Sequence, residues 1–144
     1  MANIELTGLP EVEARLLELG AVKIPTALRK VAVAGAKPMR SAIRAAAPVG
    51  PTGNLRRGVR YKASRVRTSG YLGYIVGPFG RGTAHRHLVL GGHEIIGHAP
   101  NKTDTGKRTR PNPFVETGHH AAEAQALAAT EEAAAAAIEM ATKL

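Results

Sequence analysis

Residues 48–60 read PVGPTGNLRRGVR, a proline-punctuated turn that we expect to join a long basic helix to a strand. Pro48 and Pro51 each fix φ and lack a backbone donor, so no helix continues through them. The residue before a proline is restricted to extended geometry, which predicts that the preceding helix ends near Ala46 or Ala47. An ordinary helix-to-strand connection on a basic surface would show the same pattern, because turn signals of this kind are common.

A strand is expected to begin within the same stretch. Thr52-Gly53-Asn54 is turn chemistry, since Gly accepts positive φ and Asn can bond to its own backbone. Apolar and basic residues then alternate, although both parities carry a cation. The pattern predicts a strand that runs to about Val66, with Leu55, Val59 and Tyr61 facing a core.

The preceding helix is predicted to open at Ile24-Pro25-Thr26 and to be amphipathic. One face collects apolar and small residues, which are Leu28, Val31, Ala32, Gly35, Met39, Ala42, Ile43 and Ala46. The opposite face collects the cations Arg29, Lys30, Lys37, Arg40 and Arg44. This cationic face is either a solvated surface or a contact with DNA phosphate or an acidic neighbour.

The middle of the chain is predicted to add two strands and a long loop. Ser69-Gly70 is a hairpin turn, and Tyr71–Gly77 is apolar on both faces, which is typical of a central strand covered by helices. His87–Leu90 is expected to form a third strand. Residues from about 91 to 111 are expected to be a long irregular loop whose polar tip, Asn101–Arg110, stays disordered until a partner binds.

Both ends of the chain are predicted to be mostly helical. Ile4–Gly8 is expected to be a short extended lead or edge strand, followed by a helix from Leu9-Pro10-Glu11 to Gly20. Asn112-Pro113 is predicted to cap a C-terminal helix that becomes Ala-rich from Ala121. We expect its smooth face to pack on the sheet or on another subunit, because its large apolar residues are few: Phe114, Val115, Leu127, Ile138 and Met140.

Composition limits the classes of protein that remain. The length favours a single domain over residues 1–144, and the absence of cysteine excludes disulfides and thiolate metal sites. No apolar run approaches the roughly 20 residues of a membrane span, and acids near the N-terminus argue against a secretion signal.

Charge is the strongest compositional signal. The net charge is +9, and no acidic residue lies between Glu18 and Glu94, an interval that holds fourteen Lys or Arg residues. Such asymmetry indicates a polyanionic partner or pairing with acidic surfaces of neighbouring subunits.

We expect no enzyme activity, no metal and no cofactor. The string His93-Glu94-Ile95-Ile96-Gly97-His98 resembles a zinc-protease motif, but that motif needs its second histidine four residues after the first, where Gly97 stands. Acidic residues are too scarce in the middle of the chain for a paired-carboxylate or two-metal site.

The order of the segments resembles that of a known family, the small neck proteins of long-tailed bacteriophages (head–tail connector, tail-completion or minor tail components). The matching segments are ALRKVAVAGAKPMRSAIRAAAP (27–48), PTGNLRRGVR (51–60), YLGYIVG (71–77), LVLGG (88–92) and RPNPFVETGHHAA (110–122). The family often carries an aromatic and an acid before a Gly-Thr pair near its third strand, whereas this region reads HLVLGGHE (87–94), without that aromatic or acid.

The resemblance implies an α+β fold, in which N-terminal helices and a long Ala-rich C-terminal helix pack on a small antiparallel sheet, similar to tail-terminator proteins. It implies a homo-oligomeric ring, expected to be a hexamer, that joins the DNA-filled head to the tail around a DNA channel. Such a protein is assembled in the host bacterial cytoplasm and ends in the virion. Its partners would be other neck proteins, namely the head-completion (stopper), tail-terminator and tail-tube proteins, together with the genomic DNA. No catalytic residues come with the family.

Under this hypothesis, two sets of residues are expected to make contacts. Subunit-interface or DNA-channel contacts are expected from Lys30, Lys37, Arg40, Arg44, Arg56, Arg57, Arg60 and Lys62. Loop contacts to a neighbouring ring are expected from His93, Asn101, Lys102, Lys107 and Arg108. The alternative is a basic nucleic-acid-binding protein, and a third hypothesis is a metal-dependent hydrolase that uses the histidines.

Overall fold

A computed structural model describes residues 2–3, 14, 24–64, 72–97 and 104–142. The fold is α+β. Its helices are α1 (Ile24–Ala46), α2 (Asn54–Arg57), α3 (Arg86–Gly91) and α4 (Phe114–Thr142), with a 3₁₀ turn at Arg81–Thr83. Its strands are β1 (Ala2–Asn3), β2 (Val59–Ala63), β3 (Tyr74–Pro78), β4 (Glu94–Ile96) and β5 (Asp104–Arg108).

Three of these strands form an antiparallel sheet in the order β1-β3-β2. The predicted second strand is therefore central, although it runs from Tyr74 to Pro78 and not from Tyr71. Tyr61 lies opposite Val76, so both belong to the face that meets the core, and the rings of Tyr61 and Tyr74 pack edge to face with centroids 5.9 Å apart.

The two long helices pack against each other in antiparallel directions. Gly35 of α1 lies beside Thr130 of α4, and Ile43 lies beside Gly118. A Cβ atom on Gly118 would lie 2.6 Å from the backbone nitrogen of Ile43, and one on Gly35 would collide with Thr130. The absence of side chains at these two positions therefore lets the backbones approach closely.

One continuous core joins the helices to the sheet. Its buried members are Ala36, Met39, Ile43, Ala47, Leu55, Val59, Val76, Phe114, Val115, Ala122 and Ala126. The expected bounds and apolar face of α1 are confirmed, since the face contributes Val31, Met39 and Ile43 to the buried set. The C-terminal helix finds its main partner in α1, while Leu127 and Met140 remain exposed.

The prediction of a strand from Leu55 was wrong at its start. Gly53 adopts φ 60°, and the next four residues form the single helical turn α2 before β2 begins at Val59. Leu55 is buried as expected, because one inward side chain suits either geometry. Short segments of this kind carry too few residues for periodicity to distinguish helix from strand.

The prediction of a third strand at His87–Leu90 was also wrong, since these residues lie within α3. Val89 and Leu90 pack against the core from one side of that helix. The interval predicted as an irregular loop contains the β4–β5 hairpin, and residues 104–108 of its expected disordered tip form β5.

Two predictions at the N-terminus fall largely outside the described residues. They are the strand at Ile4–Gly8 and the helix between Leu9 and Gly20, of which only Ala14 is described and is helical. Within the described ranges, no helix has the length and apolarity needed to cross a membrane.

Candidate interaction surfaces

Three cations repeat along the exposed side of α1. Lys30, Lys37 and Arg44, called the basic stripe below, are all exposed and recur every seven residues, about 10.5 Å apart along the helix. Arg40 behaves differently, because it is partly buried and its Nε donates a hydrogen bond to the carbonyl oxygen of Val59 at 3.3 Å. Arg40 therefore differs from the other cations predicted on this helix, because it links α1 to the sheet.

This Arg40 contact lies at the outer edge of β2, the edge strand of the three-stranded sheet in the described residues. The amide of Phe79 donates to Gly58 O, and the amide of Ser64 donates to Gly73 O. The backbone N–H and C=O groups of the even-numbered residues of β2 therefore point toward β3. In an antiparallel ladder the intervening residues turn their backbone groups the other way. Val59 and its odd-numbered neighbours thus present backbone groups at the outer edge of β2, where Arg40 reaches one of them.

The cations of β2 lie on the face of the sheet opposite the core. Arg60 and Lys62 are exposed and lie opposite Gly77 and Ile75. The ammonium of Lys62 sits 4.9 Å from the ring centroid of Phe79, a distance that permits a cation–π interaction.

The cations of α2 are both exposed. Arg57 is held by its Nη2 atom, which donates to Thr52 O at 2.6 Å and to Asn54 Oδ1 at 2.8 Å. Arg56 points from the same helical turn, exposed to solvent.

Arg57 and Arg60 come together with a third arginine, Arg81. They line a groove of about 390 Å³ between α2, the start of β2 and the loop at 79–83, called the arginine groove below. Its other lining residues are Asn54, Gly58, Phe79, Gly80, Gly82 and Thr83, so no acidic side chain lines it. Chemically, such a groove can hold an oxyanion.

Arg81 was not among the predicted contact residues. The sequence shows it only as one cation in a Gly-rich loop, PFGRGT at residues 78–83. Its place beside Arg57 depends on the close packing of Gly58 against Thr83, which local sequence does not reveal.

His93, one of the predicted loop contacts, closes the base of the β4–β5 hairpin. Thr109 accepts a hydrogen bond from the amide of His93 at 2.9 Å, and its own amide donates to His93 O at 2.9 Å. Lys107 and Arg108 lie exposed on β5, as do Ile95 and Ile96 on β4, which are 40% and 51% exposed. The other two predicted loop contacts, Asn101 and Lys102, lie outside the described residues.

An acidic surface lies on α4. Glu116, Glu123 and Glu131, called the acidic stripe below, are exposed at spacings of seven and eight residues, about 10.5 and 12 Å along the helix. Leu127 lies between the last two of them, one helical turn from each, and is 58% exposed. In the part of the chain that the structure describes, no ion pair joins the acidic stripe to the basic stripe.

Three potential metal ligands also lie on α4. Ligand atoms of His119, His120 and Glu123 fall within 4.8 Å of one another, and His120 Nδ1 is 3.9 Å from Glu123 Oε2. The side chains of His120 and Glu123 are 75% and 66% exposed, and His119 is partly buried. Metal-binding histidines normally have the second ring nitrogen oriented by another protein group, and no described residue makes such a hydrogen bond to either ring here.

A second pocket, of about 420 Å³, lies where three segments meet. The Pro48–Leu55 turn, α3 and the base of the hairpin form its walls, and His85, His93 and Arg110 contribute polar groups. No carboxylate is among its lining residues.

Comparison with known proteins does not identify a family for this chain. No family model, no curated protein and no solved structure matches this chain.

Proposed function

We propose that this chain is a structural virion protein of the phage neck, which joins the DNA-filled head to the tail as a homo-oligomeric ring around the DNA channel. The order of the sequence segments between Ala27 and Ala122, which resembles that of the neck-protein family, supports this role. In this proposal the chain acts through its surfaces and has no catalytic residues.

The observation that carries the proposal is the pair of charged stripes on two different helices. The basic stripe and the acidic stripe have three members each. The first spacing along the helix is the same in both, and the second is about 1.5 Å longer in the acidic stripe. Neither stripe is neutralised by the other within the described chain. The acidic stripe of one copy can therefore face the basic stripe of the next.

Such a contact joins two different surfaces of identical subunits. Interfaces of this kind are heterologous, and they generate a ring when the rotation between subunits closes. Electrostatic complementarity fixes the register of such an interface and suppresses wrong pairings. Leu127, exposed between Glu123 and Glu131, adds apolar area to the middle of the same surface.

The hairpin supports a second contact, to an adjacent ring. Ile95 and Ile96 are consecutive residues of β4, at a point where the register with β5 shifts, and both are exposed. An isolated two-stranded hairpin is only marginally stable in water. A neighbouring protein that covers it would bury both isoleucines and would meet Lys107 and Arg108 on the paired strand.

The charged stripes can be tested by exchanging their signs. We expect the wild-type chain to form a ring of about 91 kDa by mass photometry if it is a hexamer of the 15.1 kDa chain. The double variant Lys37→Glu/Arg44→Glu should dissociate, because it places like charges opposite each other, and Glu116→Lys/Glu123→Lys should do the same.

Combining the two charge-exchanged pairs in one chain should restore the ring, which simple misfolding of either double variant would not allow. Exchanging Arg29 and Glu132, which lie outside the stripes, is the matched control and should leave the ring intact. A wild-type chain that remains monomeric at its highest soluble concentration and is missing from the necks of imaged virions would refute the proposal.

The second candidate function is a basic nucleic-acid-binding protein. It is favoured by the exposed cations on α1, α2 and β2 in an acid-free interval. This candidate requires duplex binding by the monomer, with an affinity that falls steeply as salt rises. Binding without any ring would favour it over the neck protein.

A further inference from the structure

We propose that the arginine groove binds phosphate groups of a nucleic-acid backbone. The binding chemistry follows from the groove itself, whereas the source of the phosphate, double-stranded DNA that passes the protein, rests on the proposed function. Three arginines, Arg57, Arg60 and Arg81, are among the lining residues of the groove.

Close backbone packing brings these three arginines together. A Cβ atom on Gly58 would collide with the methyl group of Thr83 and would lie 3.0 Å from Asn54 O. Since Gly58 has none, α2 and the loop after β3 can touch. Arg57 precedes this glycine in sequence and Arg81 precedes Thr83 by two positions, so the contact carries both into one groove.

The walls of the groove are fixed by hydrogen bonds. Thr83 is buried, and its hydroxyl donates to Gly80 O at 2.8 Å, which closes the loop that carries Arg81. On the other side, Arg57 donates to Thr52 O and Asn54 Oδ1 through one nitrogen, Nη2. An arginine held in this way loses less conformational entropy when its remaining donors bind a ligand.

The electrostatics of the groove favour an anion. No carboxylate lines it, and no ion pair in the described chain neutralises Arg57, Arg60 or Arg81. The three arginine charges repel one another, and a bound oxyanion would reduce this repulsion. The planar guanidinium fork matches the geometry of two phosphate oxygens, which makes phosphate the best-fitting anion.

The surroundings favour a chain of phosphates over a single small anion. The groove opens to solvent between exposed arginines and does not enclose its contents. Phe79 forms part of the lining, and Lys62 stands over its ring, so positive charge continues beyond the groove along β2. Duplex DNA offers one negative charge for about every 1.7 Å of its axis and can occupy the groove and reach Lys62 together.

The test uses two double variants of the full chain that lose the same charge. Arg60→Gln/Arg81→Gln empties the groove of two cations, while Arg29→Gln/Arg110→Gln removes two exposed cations elsewhere. Arg57 is left in place because its hydrogen bonds hold the preceding turn. Circular dichroism and thermal unfolding of each variant establish that the fold is intact.

Binding of a fluorescein-labelled DNA duplex is measured by anisotropy over a series of salt concentrations. We expect the groove variant to bind about tenfold more weakly at low salt, and the slope of log K against log salt to become less negative by about two, because two phosphate contacts are lost. The control variant should stay within about threefold of the wild-type affinity, since its cations lie outside the groove.

A conservative variant tests the role of the guanidinium fork. Arg60→Lys/Arg81→Lys keeps the charge, so we expect the wild-type salt slope with an affinity reduced several-fold. Equal losses in the groove variant and the control variant would overturn the proposal. It would also be overturned if inorganic phosphate shifted the amide resonances of the groove while duplex DNA did not.

Mass photometry of the same samples separates this inference from the proposed function. A ring that binds no duplex at low salt would overturn the phosphate site and leave the neck ring standing. A monomer that binds duplex through the groove, with the predicted loss in Arg60→Gln/Arg81→Gln, would support the site and contradict the ring.

Discussion

Replacing Gly118 with alanine tests how α1 and α4 hold the fold together. Gly118 is buried in α4 at its crossing with α1. The new Cβ atom would lie 2.6 Å from the backbone nitrogen of Ile43 and closer still to its Cα atom. Both are backbone atoms of a 23-residue helix, so no side-chain rotation can relieve the collision.

The size of the effect follows from two opposing terms. Ordinary contacts between carbon atoms are about 3.5–4.0 Å, so the helices must separate by about 1 Å where they cross. Overpacking of a well-packed core typically costs about 1–3 kcal/mol. Alanine offsets part of this cost, because it favours a helix over glycine by about 0.8–1 kcal/mol. Because the collision is with backbone atoms, the upper part of the overpacking range applies, and we expect Gly118→Ala to lower the free energy of unfolding by about 1–2 kcal/mol.

The measurement is urea unfolding followed by circular dichroism, supported by thermal melts. The expected loss corresponds to a melting temperature lower by about 3–8 °C for a chain of this size. Gly91→Ala is the matched control, because Gly91 is also helical and a Cβ atom there meets nothing within 4 Å. If Gly118→Ala proved as stable as the wild type, or more so, the close approach of α1 and α4 at Gly118 would be incorrect.

The remaining predictions concern other contacts of the described chain. Phe114→Ala should cost about 3–5 kcal/mol in urea unfolding, whereas Leu127→Ala should change the stability of the subunit by less than about 0.5 kcal/mol, because only Phe114 is buried. Thr109→Val should speed amide hydrogen exchange in β4 and β5 without lowering the global melting temperature, since it removes the hydroxyl contacts to His93. Arg40→Met should cost about 1 kcal/mol in urea unfolding by removing the bond to Val59 O, and an equal loss in the exposed Lys37→Met would contradict this assignment.

The long elements could be predicted from local patterns. For α1, apolar residues recur at helical spacing over six turns, and the prolines at 48 and 51 mark its end, so both its bounds and its buried face followed from the sequence. For α4, alanine propensity alone determined the element. Its partner did not follow, because an alanine surface fits a sheet, a helix or another subunit equally well.

The short elements were decided by tertiary contacts. In α3, the residues His87–Leu90 have strand-like composition, but the core takes Val89 and Leu90 from one side of a helix. In α2, the positive φ of Gly53 precedes a helical turn, although the alternating sequence pattern predicted a strand there. Tertiary packing overrides weak local preference most easily in segments of four to six residues, where few hydrogen bonds are at stake.

The candidate surfaces also divide into those that local sequence predicts and those that depend on tertiary contacts. The exposure of the basic stripe followed from helical periodicity, because one helix face determines it. The arginine groove did not, because Arg57 and Arg81 are 24 positions apart and meet only through the packing of Gly58 against Thr83. Arg40 carried no sequence signal that separated it from Lys37 or Arg44, although its contact with Val59 makes it structural.

The distribution of large apolar side chains bears on the proposal of a ring. The crossing of α1 and α4 is filled largely by alanine and glycine, while Ile95, Ile96, Leu127 and Met140 lie exposed. Single exposed apolar residues are ordinary on a folded protein. Ile95 and Ile96 are different because they are consecutive on a three-residue strand, and Leu127 is different because it lies between two glutamates of the acidic stripe. A second copy of the chain carries the basic stripe that complements the acidic stripe, so the proposed head-to-tail ring would cover Leu127 together with these glutamates.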